Sequence, residues 1–251
     1  MPLSPPTSSD PAAIAAWNAA LNRTHDMAGL RARGGGVVRA VEERRRRLVA
    51  SRVRRARRPV AGGGAPRVGV VADVGCEDGW IAEAYAARVE ETVLVDVDPA
   101  MLARAEQKRL PRARCAVGDA AGPAVVPPES ADVVVFSAVL EHLARPLDAL
   151  AAWAPALVPG GRFVVFVPAD EPILAAKRVL RAARLSALVP GISLEPAPGH
   201  VVTFRRAALA RLLNPFGAVE GIAFDPAVLG YVATVRVGGR RGAFARSAGT
   251  S

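Results

Sequence analysis

The stretch VVADVGCEDGW, Val70 to Trp80, constrains the fold more than any other part of this chain. An apolar run ends on Asp73, and Gly75 and Gly79 then frame a tight turn into a helix-compatible segment. Glycine permits the backbone that a sharp strand-to-helix turn requires and lets a ligand approach the main chain closely. The helix start that follows presents N–H groups without intrahelical partners. A turn of this kind belongs at the carboxyl end of a parallel strand, where open α/β sheets bind nucleotides.

The remainder of the chain repeats the same rhythm. Strands are predicted over 67–74, 92–97, 114–117, 132–136 and 162–167, with helices over 80–87, 99–109 and 146–157 between them. Asp98 ahead of Pro99 predicts a helix N-cap. Short apolar strands alternating with helices predict an α/β, Rossmann-like, doubly wound sheet. After residue 168 the pattern loosens to a helix over 173–188, a Pro- and Gly-rich loop, a helix over 205–213, and strands over 219–224 and 231–237.

The N-terminal part is organised differently. Residues 1–11 are Pro- and Ser-rich and read as disordered. Residues 12–66 read as a helical cap, with one helix to about Leu30, a break at Gly34–Gly36, an arginine-rich helix over 37–58, and a Gly/Pro linker. The ligand-binding domain is predicted over 67–237, and 238–251 reads as a flexible tail.

With 51% hydrophobic residues in 251, a disordered or fibrous chain is excluded. No apolar run approaches the roughly 18 residues that cross a bilayer. The first residues lack the basic and apolar regions of a secretory signal, and Cys76 and Cys115 are too few for a disulfide framework. A cytoplasmic location is expected, with no transmembrane segment. The sequence shows no carboxylate–histidine cluster, and no metal is expected.

The identity of the nucleotide is a question of charge. A dinucleotide site needs glycines in the order G-x-G-x-x-G and a pyrophosphate at the helix start. Here Glu77 holds the middle glycine position and Asp78 follows it. Two carboxylates repel a pyrophosphate, which argues against an NAD-dependent dehydrogenase. They suit a ligand that carries a sulfonium and an ammonium and no phosphate, as S-adenosylmethionine (SAM) does. Asp96 ends the second strand, where a carboxylate can take both ribose hydroxyls. Asp119, after the third strand, can accept an adenine amino group.

In order, DVGCxxG, VDVDPAML, GDA, ADVVVFSAVLEHL and LVPGGRFVVFVP resemble the class I SAM-dependent methyltransferases, and within them the small-molecule type similar to the ubiquinone and menaquinone branch. The resemblance spans about 67–167, with a weaker match in GHVVTFRRAALARLL. It implies a seven-stranded sheet with an antiparallel last strand. It implies that Asp73, Gly75, Cys76 and Gly79 shape the methionine pocket, and that Asp96 and Val97 meet the ribose. Gly118, Asp119 and Ala120 then meet the adenine, and Ser137 lines the mouth. It further implies that 169–204 forms a lid over the acceptor. His142, in the Glu141-His142 pair, and His200 in that lid are the candidates for a general base or for orienting the acceptor. Cys76 has no basic partner in the motif that would make it a nucleophile.

The expected activity is methyl transfer to a small-molecule acceptor, at oxygen or nitrogen. Net charge offers a rival. Residues 31–58 hold twelve arginines against Glu42 and Glu43, a surplus equal to the whole chain's +10. The bland expectation is a solvated face of an amphipathic helix packed on the sheet. The same helix could instead dock RNA for an RNA methyltransferase, or hold a partner in a non-catalytic SAM-binding protein. Oligomeric state has no sequence signal.

Overall fold

The computed structural model describes residues 36–58, 65–169 and 200–238, with isolated helical positions at 13, 16, 20, 29, 31, 175, 179, 180 and 182. The predicted helices over 12–30 and 173–188, the linker and the tail lie wholly or mainly outside the described residues.

The strands are β1 (Val68–Val74), β2 (Val89–Asp96), β3 (Ala113–Val117), β4 (Ala131–Ser137), β5 (Leu157–Pro168), β6 (Gly217–Asp225) and β7 (Gly230–Val237). They form one seven-stranded sheet in the order β3-β2-β1-β4-β5-β7-β6. The first five pair in parallel, and β7 lies antiparallel between β5 and β6. The described helices are α1 (Gly36–Arg55), α2 (Pro99–Gln107), α3 (Pro146–Trp153) and α4 (Arg206–Leu213).

Two apolar layers clothe the sheet, because alternate strand residues point to opposite faces. On one face Val74, Phe136, Phe163 and Val165 pack with Leu150 and Trp153 of α3 and Leu209 and Leu213 of α4. On the other, Val71, Val133, Val135 and Val164 pack with Val49, Ala50 and Val53 of α1 and Leu102 of α2. Strands covered on both sides read as near-continuous apolar runs, as β1 and β4 do.

Helix α1 is docked on the sheet through its Val49–Val53 stripe, and four of its arginines pair with the protein's own acids. Arg44 meets Asp225, Arg46 meets Glu43 and Glu83, Arg47 meets Glu43, and Arg45 meets Glu42. Arg58, just beyond the helix, meets Asp132. Asp98 caps α2 as expected, accepting from the Ala100 N–H at 2.9 Å with Pro99 in the first turn.

Three local expectations differ. The segment 80–87 is two short 3₁₀ turns, Ala82–Ala84 and Ala86–Arg88, interrupted at Tyr85. Its alanines carry little periodicity, and Tyr85 is drawn into the core by a bond described below. Strand β2 consequently begins at Val89. Pro159-Gly160-Gly161, which reads as a turn, is absorbed into β5, where the pairing with β4 shifts register between Ala131 and Val133.

Candidate active site

The parallel strands end in register. Val74 lies opposite Val95 and Phe136, and Asp96 lies opposite Val117, so the residues after β1, β2, β3 and β4 share one edge. The strand order reverses between β1 and β4, the switch point at which open α/β sheets bind their ligands.

The glycine turn is pinned to the neighbouring strand. The Gly75 and Cys76 N–H groups both donate to the Val95 carbonyl, at 2.8 and 3.0 Å. Gly75, Glu77 and Gly79 have φ of 69°, 50° and 74°, so the middle position keeps the left-handed backbone although it carries a side chain. A Cβ on Gly75 would run into the Val139 side chain, which leaves glycine the fitting residue there.

Asp96 is 5% exposed. Its Oδ2 accepts the Glu77 N–H at 2.8 Å and its Oδ1 the Asp98 N–H at 2.9 Å. Burial raises its pKa, and those two bonds oppose the rise. A carboxylate offers about four acceptor positions, so both oxygens, oriented by the backbone, retain capacity for a pair of ligand hydroxyls.

Asp73 faces the α1 side and is 1% exposed. The Tyr85 hydroxyl donates to its Oδ2 at 2.6 Å. Burial lifts the Asp73 pKa to about 7 against the pull of that bond and of Arg45. The carboxylate therefore acts beneath the turn. Cys76 is buried, and burial pushes its thiol pKa well above the ordinary value, the opposite of what a nucleophile requires.

The acids of the turn are neutralised from within the chain. Arg31 reaches Glu77 at 2.9 Å and Asp78 at 2.6 Å, and Lys108 reaches Asp78 at 3.0 Å. Burial alone would push the Asp78 carboxyl up, but Arg31 and Lys108 hold it below its ordinary value. The sequence argument that these two carboxylates repel a pyrophosphate directly is corrected: their charge is met by Arg31 and Lys108. The Trp80 ring lies beneath Arg31 and Lys108 and beneath Arg46 as well, its centre 5.4 Å from the Arg31 guanidinium carbon, 5.8 Å from the Lys108 Nζ and 4.3 Å from the Arg46 guanidinium carbon.

The other predicted residues lie along the same edge. The Gly118 N–H donates to the Asp96 carbonyl at 3.0 Å, and exposed Asp119 caps Ala121 at 2.8 Å ahead of half-buried Ala120. Val97 is 49% exposed, a large apolar surface beside Asp96. Ser137 is buried at the end of β4, with an Oγ that lacks a hydrogen-bond partner in the structure. An orphaned buried hydroxyl at this mouth fits a polar ligand group.

Glu141, His142 and His200 come together beyond β4. The Val201 and Val202 N–H groups donate to the Glu141 carbonyl at 2.8 and 3.1 Å, which seats His200 against His142. The imidazole centres are 5.2 Å apart at 74°. One ligand atom from each of the three residues lies within 4.8 Å of the others. The expectation that the chain holds no carboxylate–histidine cluster is thereby corrected: the histidines stand 58 positions apart in sequence, and they meet where the 201–202 backbone bonds to Glu141. Tyr85 and Val139 had no sequence signal of their own, and Arg31 had only its place in the basic run.

Residues 72–165 match the family model described as a methyltransferase domain. The fold is shared with a candidate exported protein of Bordetella parapertussis (19% identity, TM-score 0.61, 83% of this chain and 72% of that one). It is shared with a chain of the complex between the Haloferax volcanii Trm112 methyltransferase activator and a candidate methyltransferase (14%, 0.60, 90% and 97%). It is shared too with the N-methyltransferase NodS of Bradyrhizobium japonicum WM9 in complex with S-adenosylhomocysteine (20%, 0.53, 78% and 87%). No curated protein sequence matches.

The match over 72–165 is thus to a methyltransferase domain, and the chain shares its fold with methyltransferases of solved structure, one of them bound to S-adenosylhomocysteine. None of these matches singles out the ubiquinone and menaquinone branch. No described helix is long and apolar enough to cross a membrane.

Proposed function

We propose that the protein transfers a methyl group from SAM to an oxygen or nitrogen of a small-molecule acceptor. SAM supplies a methyl group on a sulfonium, displaced in line by the acceptor. In this reading Asp96 takes the ribose hydroxyls, and the Gly75–Gly79 turn gives the methionine end room against the backbone. Asp119 and Ala120 take the adenine, while Val97 supplies apolar surface beside it and Ser137 a hydroxyl at the mouth. His142 and His200 face the acceptor and orient it, and 169–204 is its lid. Positioning the two reactants contributes on the order of 7–11 kcal/mol at best. The free thiols Cys76 and Cys115 accord with the proposed cytoplasmic location.

The carrying observation is the Asp96 carboxylate, held by two backbone N–H groups at the edge that holds the β1–β4 switch point. A small acceptor is favoured over RNA because Arg31, Arg44, Arg46 and Arg58 are bound to the protein's own carboxylates. Nucleic acid docking would have to compete with those pairs.

The test is to incubate the full chain with methyl-labelled SAM and parallel panels of phenols, amines and structured RNA. Label transferred to a small molecule supports the proposal. Label transferred to RNA, with binding that falls steeply as salt rises, would replace it with the RNA reading.

A further inference from the structure

We infer that Glu141, His142 and His200 form a divalent-cation site on the acceptor side of the β1–β4 switch point. The inference rests on the proposed acceptor mouth for its purpose, but on geometry for its existence. A carboxylate oxygen and two imidazole nitrogens within 4.8 Å of one another are a donor set suited to first-row divalent metals. Two imidazoles sharing a cation at ~2.1 Å per metal–nitrogen bond have ring centres roughly 5 Å apart. The observed separation is 5.2 Å.

A further feature points the same way. The arrangement is braced, since both backbone bonds from 201 and 202 end on the Glu141 carbonyl. Ligand positions fixed by the main chain are what a metal site needs beyond its donors.

Three protein ligands leave coordination positions open. An acceptor oxygen that fills one has its O–H bond weakened by the cation, and its proton leaves to water. The histidines are then ligands, and neither serves as the proton acceptor. The acceptor class this selects is a phenol, a catechol or a vicinal diol, whose oxygens bind a hard or borderline cation well.

The test uses the full chain, freed of metal by a chelator and titrated with Co²⁺ by calorimetry and visible absorption. One equivalent should bind, with ligand-field bands that show imidazole coordination. His142→Ala and His200→Ala should each weaken binding by about tenfold or more, no less than loss of an outer-shell partner costs. A folded wild-type protein that takes up no Co²⁺ overturns the site, as does uptake undiminished in the double histidine variant. SAM titration of the same samples separates the two claims. Co²⁺ uptake without SAM binding keeps the metal site and removes the proposed function, and SAM binding without Co²⁺ uptake does the reverse.

Discussion

The Tyr85 hydroxyl donates to Asp73 Oδ2 at 2.6 Å, sealing a carboxylate under the glycine turn where burial lifts its pKa to about 7. The ordinary value for an unfolded chain is ~3.9. Between those limits the folded carboxyl keeps a proton that the unfolded chain has lost, so stability falls as pH rises and levels off above about 7. The slope from this group is on the order of 1.4 kcal/mol per pH unit inside the window. Asp73→Asn keeps an acceptor for Tyr85 and never ionises. Urea unfolding of both proteins from pH 4 to pH 9 should show the variant gaining on wild type up to about 7; parallel profiles would contradict the assignment.

Gly75 and Gly160 offer a matched pair. Their φ values are 69° and 76°, but a Cβ at Gly75 meets Val139 whereas at Gly160 nothing lies within 4 Å. Gly160→Ala should cost about 1–2 kcal/mol, the left-handed backbone penalty alone. Gly75→Ala should cost about 1–3 kcal/mol more through overpacking, and it should weaken SAM binding. Adding Val139→Ala should recover the packing part and leave the backbone part. Chemical denaturation of the four proteins reads this directly, and equal losses at the two glycines would remove Val139 from the account.

Arg31 joins the N-terminal segment to the turn through Glu77 and Asp78. Both Arg31 and Asp78 are largely buried, so Arg31→Ala leaves a carboxylate with Lys108 alone. The expected cost is about 3 kcal/mol, the low end for breaking a buried pair. Because Asp78's folded-state pKa is lowered, the stabilisation is present above the unfolded carboxylate range and lost as pH falls through the folded value. Wild type and variant should converge on acidification. Trp80 fluorescence reports the change, since Arg31 lies over the ring.

The sheet was legible because parallel strands buried on two faces leave long Val-rich runs, and because Asp98-Pro99 and the glycines punctuate them. The edge proposed for the cofactor was placed on the same signal: Asp96 and Asp119 follow strand ends, where sequence order and spatial order coincide. What escaped depends on contacts distant in sequence. Tyr85 interrupts a helix-compatible stretch to reach Asp73, a bond that no periodicity encodes. Arg31 was visible as charge in a basic run, yet its role as counter-ion to Glu77 and Asp78 appears only in three dimensions. The Glu141–His142–His200 group required residues 201–202 to meet Glu141, across a stretch of sequence with little patterning.

The most direct measurement is calorimetric titration of the full chain and of Asp96→Ala with SAM, S-adenosylhomocysteine and NAD. The account predicts that both sulfur ligands bind wild type, that NAD does not, and that Asp96→Ala keeps its fold while losing about tenfold or more in affinity, as expected when hydrogen bonds to a charged group are removed. Equal affinity in the variant, or no binding of either sulfur ligand to wild type, would contradict it.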